Sequence, residues 1–292
     1  MEFQGAGLLR IGSEEHPILP VAQRAISTRM GVPFQYLEKL PDHIAAVNLN
    51  HFLRHERNEK LFVRFEGAEI RYVATPRYTP TDNKDVIGEL FRLGYDEATP
   101  VQCRLDQRFM MLGLPNRDGA FEVARGDTMM PGISIGNSEV GLAALSVSAF
   151  ILRLVCTNGM IGTEKVSVSS YRHISTRPLD ELPRILNSAS DGLEYHKTRL
   201  RFSLESPVAD IQSTLGSMGR QFQLSQHEMA ALEWATPFEQ APAEDQNTLF
   251  NVINIFTRAS QSPEITADSA HRLQKFGGKV LSMVDTCERR AA

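Results

Sequence analysis

Cysteine is scarce: Cys103, Cys156 and Cys287 are the only three in 292 residues, far apart and odd in number. That spacing excludes a disulfide framework and offers no zinc site. Excess positive charge is missing as well. Thirty-one Lys and Arg face 35 Asp and Glu, a formal charge of −4, so no global field draws the chain to nucleic acid or anionic lipid. Any such site has to be a local patch. No apolar run approaches the ~20 residues of a membrane span. The opening MEFQGAGLLRIGSEEHP has neither the basic nor the apolar part of a secretory signal. A cytoplasmic protein that does not enter membranes is expected.

Nucleotide and metal motifs are thin too. GISIG and KFGGKV lack the spacing of a phosphate-binding loop, and no strand is followed by G-x-G-x-x-G and a helix. Gly277 and Gly278 read as a kink or joint between helical patterns. Of the eight histidines only His51 and His55 are close, at i,i+4, without the glutamate or third ligand of a zinc hydrolase. No metal and no cofactor are expected.

What is present is a change of period along the chain. Residues 1–16 read as a flexible leader. Pro20 opens a helix that Gly31 closes, Pro33 starts a second, and Asp42 is placed to cap a third, with Ala45, Leu49, Phe52 and Leu53 at helical spacing. Residues 60–75 then alternate as a hairpin turning at Glu66–Gly67. Asp82 can cap a helix with Val86, Leu90 and Leu93 on one stripe, and a second hairpin turns near Asp106–Gln107. The central stretch, residues 126–161, reads as two inner strands joined by a turn at Ser138–Gly141, and KVSVSSYRHIST adds another strand. Beyond Pro178 the period is helical over five segments. The expected fold is α+β: an antiparallel sheet with helices on it over residues 17–176, then a helical region over 177–292 that packs on or extends that core.

Candidate chemistry is sparse. Cys156, beside Asn158 and Gly159, is the one tempting nucleophile, yet it ends an apolar strand, where a cysteine usually serves as a small core residue. Basic and aromatic residues mix in two places. Residues 71–84 hold Arg71, Tyr72, Arg77, Tyr78 and Lys84; residues 165–178 hold Lys165, Tyr171, Arg172, His173 and Arg177. Cations engage phosphates and rings stack bases, so this mixture suits a single-strand groove. It equally suits the solvated face of a half-buried sheet. His196, Lys197, Arg199 and Arg201 would extend such a surface if the chain folds back.

Three stretches, GVPFQYLEKLPDHIAAVNLNHFL, RYVATPRYTPTDNKDVI and GDTMMPGISIGNSEVGLAALSVSAFILRLVCTNGM, resemble the phage- and plasmid-associated family catalogued as domain of unknown function 932, over about residues 17–260. The resemblance implies a mobile-element setting among DNA-metabolism genes and no settled activity. It places Asn137, Ser138 and Gly141 at one motif turn, and Arg153, Cys156, Asn158 and Gly159 at a second. Asn and Gly tolerate positive φ and suit tight turns at sheet ends. Arg153, inside ILRLV, escapes at an edge, pairs with an acid such as Asp127 or Glu139, or points into a ligand groove.

By fold-level analogy with phage annealing proteins, the leading expectation is a non-catalytic, oligomeric single-stranded DNA-binding protein supporting recombination or replication. Net acidity departs from that analogy. Arg71, Arg77, Tyr78, Lys84, Arg153, Lys165, Tyr171, Arg172 and Arg177 would carry the contacts, and no residue is assigned as catalytic. The alternative is a protein-interaction module docking through its C-terminal helices. A hydrolase using Asp127, Glu139 or Cys156 ranks last, because these residues lack metal spacing.

Overall fold

The computed structural model describes residues 1–56, 60–124, 126–154, 158–161, 168–171, 193–239 and 247–291. They divide into two compact units. The first comprises Met1–Thr81 with Ser138–Leu142; the second holds the remaining described residues. The division falls after Thr81 rather than near residue 176, and the C-terminal helices share a core with the central strands.

In the first unit the expected leader is instead a small antiparallel sheet of β1 (Glu2–Phe3), β2 (Leu8–Ile11) and β3 (Glu14–Pro17). Gly12, at φ 65°, makes the β2–β3 turn, and Phe3 and Leu9 are buried. Helix α1 (Pro20–Met30) starts on its proline and ends at Gly31, at φ 68°, as its punctuation demands. The short α2 (Phe34–Leu37) follows, then α3 (Asp42–Arg54), where Pro41 takes the cap position and Asp42 stands inside the first turn. Asn50 of α3 closes two 2.8 Å hydrogen bonds with the backbone of Phe3, which fixes the N-terminal strand. The hairpin of β4 (Phe62–Glu66) and β5 (Glu69–Ala74) turns on Gly67, and Ile70 and Val73 enter the core with Ile18, Ile26 and Leu49.

The second unit opens with α4 (Asn83–Arg92). Its sheet is built of β6 (Gln102–Leu105), β7 (Met110–Pro115), β8 (Phe121–Ala124), β9 (Asp127–Asn137), β10 (Leu145–Arg153), β11 (Asn158–Ile161) and β12 (Val168–Tyr171). The order is β11-β10-β9-β7-β6, with β12 also on β10 and β8 on β9, every pair antiparallel. Alternation separates two faces. Leu112, Leu114, Ile133, Ile135 and Val147 pack against Val86 and Leu90 of α4. Gly113, Gly132, Ser134, Gly136, Ser146 and Ser148 occupy the other face, a run of small residues that the Phe150 ring partly covers.

Among the described residues five α-helices follow: α5 (Leu193–Glu205), α6 (Ile211–Gln221), α7 (Gln226–Ala235), α8 (Leu249–Ala259) and α9 (Ala267–Ala291). Their apolar stripes, including Leu215, Leu232, Ile253, Phe256, Leu273 and Val280, form one buried cluster with Met129 and Ile151 of the sheet. Those stripes are therefore core, not the exposed docking surface that the interaction reading requires. Helix α9 runs unbroken through Gly277 and Gly278, which are buried and make no joint. No helix among the described residues is long and apolar enough to cross a membrane.

Candidate nucleic-acid interface

On the hairpin of the first unit, the bulge between Arg64 and Phe65 shifts the register, and Arg64 stands opposite Tyr72. Residues directly opposite in an antiparallel pair share a face. The loop after β5 returns Tyr78 to that face, its ring 5.1 Å from Phe62 and 5.3 Å from Tyr72. The three rings are half-buried, and Arg77, next in the loop, is exposed.

Arg71 and Arg29 complete the surroundings. Arg71 Nη1 lies 3.0 Å from the Glu139 carboxylate and its Nε 3.5 Å from Glu66. Arg29, paired with Glu56 at 2.8 Å, is close enough to act on the Tyr72 hydroxyl. Burial raises the Tyr72 pKa and the Arg29 charge opposes that rise. The hydroxyl stays protonated at neutral pH. Three aromatic rings and three arginines, Arg64, Arg71 and Arg77, thus lie on one hairpin and its loop, with Arg29 of α1 beside them.

The Ser138–Leu142 loop seats against this cluster. Tyr78 donates its hydroxyl to the Glu139 carbonyl at 2.9 Å, and Ser138 Oγ accepts from the Leu142 N–H at 3.1 Å. Gly141 has φ 68°, and a Cβ there would overlap the Tyr72 hydroxyl, so glycine is required twice over.

The other expected contact residues separate. Lys84 is exposed on the first turn of α4 in the second unit. Arg153 is not on a surface: its Nε donates to both Asp127 oxygens at 2.8 and 3.0 Å, and its guanidinium lies 5.5 Å from the Phe250 ring centre. Of the three routes open to it in the sequence, it takes the acid pair. Tyr171 ends β12 opposite Leu145. Lys165, Arg172 and Arg177, like Cys156, lie outside the described residues. His196 and Arg199 of α5 are buried, Lys197 stands over the Phe121 ring, and Arg201 is exposed.

The motif positions split by role. Asn137 is fully buried and donates from Nδ2 to Asn83 Oδ1 at 2.8 Å, tying the end of β9 to the start of α4. Asn158 and Gly159 are not a turn; they lie in β11, opposite Arg153 and Leu152. Gly159 is needed there because a Cβ would run into the Phe150 ring.

Sequence reasoning missed Phe62 and Arg64 as members of the cluster and Glu139 as the partner of Arg71. The alternation of residues 61–65 was the available signal for the first two; nothing local marks the third. Among the described residues no three potential metal ligands gather. A scan against protein-family models, a search of curated proteins and a search of solved structures each find no match.

Proposed function

We propose that the protein binds single-stranded nucleic acid without cleaving it, through the Phe62–Tyr72–Tyr78 cluster and its arginines. The observation that carries this reading is the placement of three half-buried rings 5.1 and 5.3 Å apart beside the exposed Arg77, with Arg64 across the strand pair. Rings offer stacking surfaces to any base, and guanidinium groups track phosphates, a combination that is tolerant of sequence. The resemblance to the phage- and plasmid-associated family agrees in setting, and DNA recombination or replication in the cytoplasm is the role we assign. Assembly into an oligomer belongs to the same proposal.

Fluorescence anisotropy with a labelled oligothymidylate, titrated across salt, tests it. Binding should be measurable at low salt and weaken as salt rises, with a log–log slope of about −0.7 per phosphate engaged. Arg77→Ala should weaken binding and flatten that slope. Absence of binding at low salt, or binding indifferent to salt, sinks the reading. In that case, stoichiometric capture of a protein partner would favour an interaction module instead.

A further inference from the structure

Of the carboxylates of Glu139 and Glu66, the one closer to Arg71 comes from a distant part of the chain. Glu139 reaches Arg71 at 3.0 Å, and the two side chains are only 11% and 16% exposed. Glu66, the second acid on Arg71, is 3.5 Å away and 48% exposed. Glu139 is also held by its backbone: Tyr78 binds its carbonyl, Ser138 closes the turn, and Gly141 lies against Tyr72. The loop is thus seated on two of the three rings and one of the arginines offered for binding.

Carboxylate and phosphate oxygens meet a guanidinium fork by the same hydrogen-bond geometry. We propose that Glu139 is a built-in phosphate mimic, and that the Ser138–Leu142 loop is a latch covering Arg71 until a strand displaces it. This rests on the nucleic-acid reading of the same cluster. A strand that engages Arg77 first brings its neighbouring phosphate into competition with Glu139. Lifting the loop then frees the Tyr78 hydroxyl from the Glu139 carbonyl and uncovers Tyr72. The latch sets a threshold: single phosphates do not open it, and a continuous strand does.

The test is a double-mutant cycle read by anisotropy with labelled oligothymidylate, on full-length chains whose folding is checked by thermal melting. Glu139→Gln should tighten binding about tenfold and steepen the salt slope by about 0.7, the increment of one added phosphate contact in a single strand. In an Arg71→Ala background the same substitution should change nothing. Glu69→Gln, which removes an exposed acid of the same hairpin, serves as the bulk-charge control and should leave affinity within twofold. Should Glu139→Gln not fold, Glu139→Asp draws the carboxylate back and should act in the same direction. Wild-type binding that neither Glu139 variant tightens overturns the latch and leaves the nucleic-acid reading standing. Equal tightening with Arg71 absent, or from Glu69→Gln, overturns it as well. No binding by any variant at low salt overturns both.

Discussion

Arg153 and Asp127 meet across neighbouring strands, Nε to both carboxylate oxygens at 2.8 and 3.0 Å, with side chains only 16% and 11% exposed. The Phe250 ring lies 5.5 Å from the guanidinium, so the pair also joins the sheet to α8. This is an arginine of the core, and its substitution tests stability rather than ligand contact. Removing one partner leaves the other's largely buried charge without this ion pair. Arg153→Met or Asp127→Leu alone should cost about 3–5 kcal/mol in urea denaturation, while the double substitution should recover most of that loss. Equal and additive losses would show that the two act independently.

Gly159 and Phe150 form a second coupled pair. A methyl group at residue 159 would enter the Phe150 ring, which also lies against Gly113, and β10 and β11 are hydrogen-bonded on both sides of the contact. Gly159→Ala should lose about 1–3 kcal/mol through overpacking. Combining it with Phe150→Leu should cost less than the sum of the two single changes. Strict additivity in chemical denaturation would remove the ring from the explanation.

His271 gives the fold an acid limit. It is buried against the Phe109 ring, above Gly136, and neither ring nitrogen has a hydrogen-bond partner among the described residues. Burial, reinforced by the charge of Lys275, holds its pKa well below the usual histidine value. The unfolded chain therefore binds a proton that the folded chain refuses. This contribution to stability is intact above the unfolded pKa of about 6.5 and falls as pH drops below it, by up to about 1.4 kcal/mol per pH unit, until the depressed folded pKa is reached. His271→Leu should flatten the stability–pH curve, by up to one proton, below about pH 6.5. An unchanged slope would contradict the assignment.

Lys275 stands one helical turn beyond His271, and burial lowers its pKa. Burial thus penalises its charged form, at the expense of stability. Lys275→Met should raise the unfolding free energy by about 1 kcal/mol. A loss of similar size would mean that the charge is compensated.

Much of the fold was legible in the sequence because its punctuation is local. Pro20 and Gly31 bound α1, Gly67 makes the hairpin turn, and the alternation through residues 127–153 yields the two inner strands. The N-terminal strands were not legible: β1 has only two residues, and its order comes from Asn50, 47 positions away. The unit boundary after Thr81 is marked by no linker composition, since Asp82 is simply the cap residue of α4. Charge pairing was legible only as a set of alternatives. Two arginines and two acids on strands and turns leave the choice of partner to tertiary geometry, which gives Asp127 to Arg153 and Glu139 to Arg71. Gly159 looked like a turn glycine, and only the position of the Phe150 ring explains it.

The central claim is that a single strand rests on the rings of the first unit's hairpin. Photo-crosslinking to a bromodeoxyuridine-substituted oligonucleotide, followed by mass spectrometry of the adducts, tests it most directly. Adducts should concentrate on Phe62, Tyr72 and Tyr78 and should diminish when unlabelled oligothymidylate is added. Adducts absent from residues 60–80 but efficient elsewhere would contradict it.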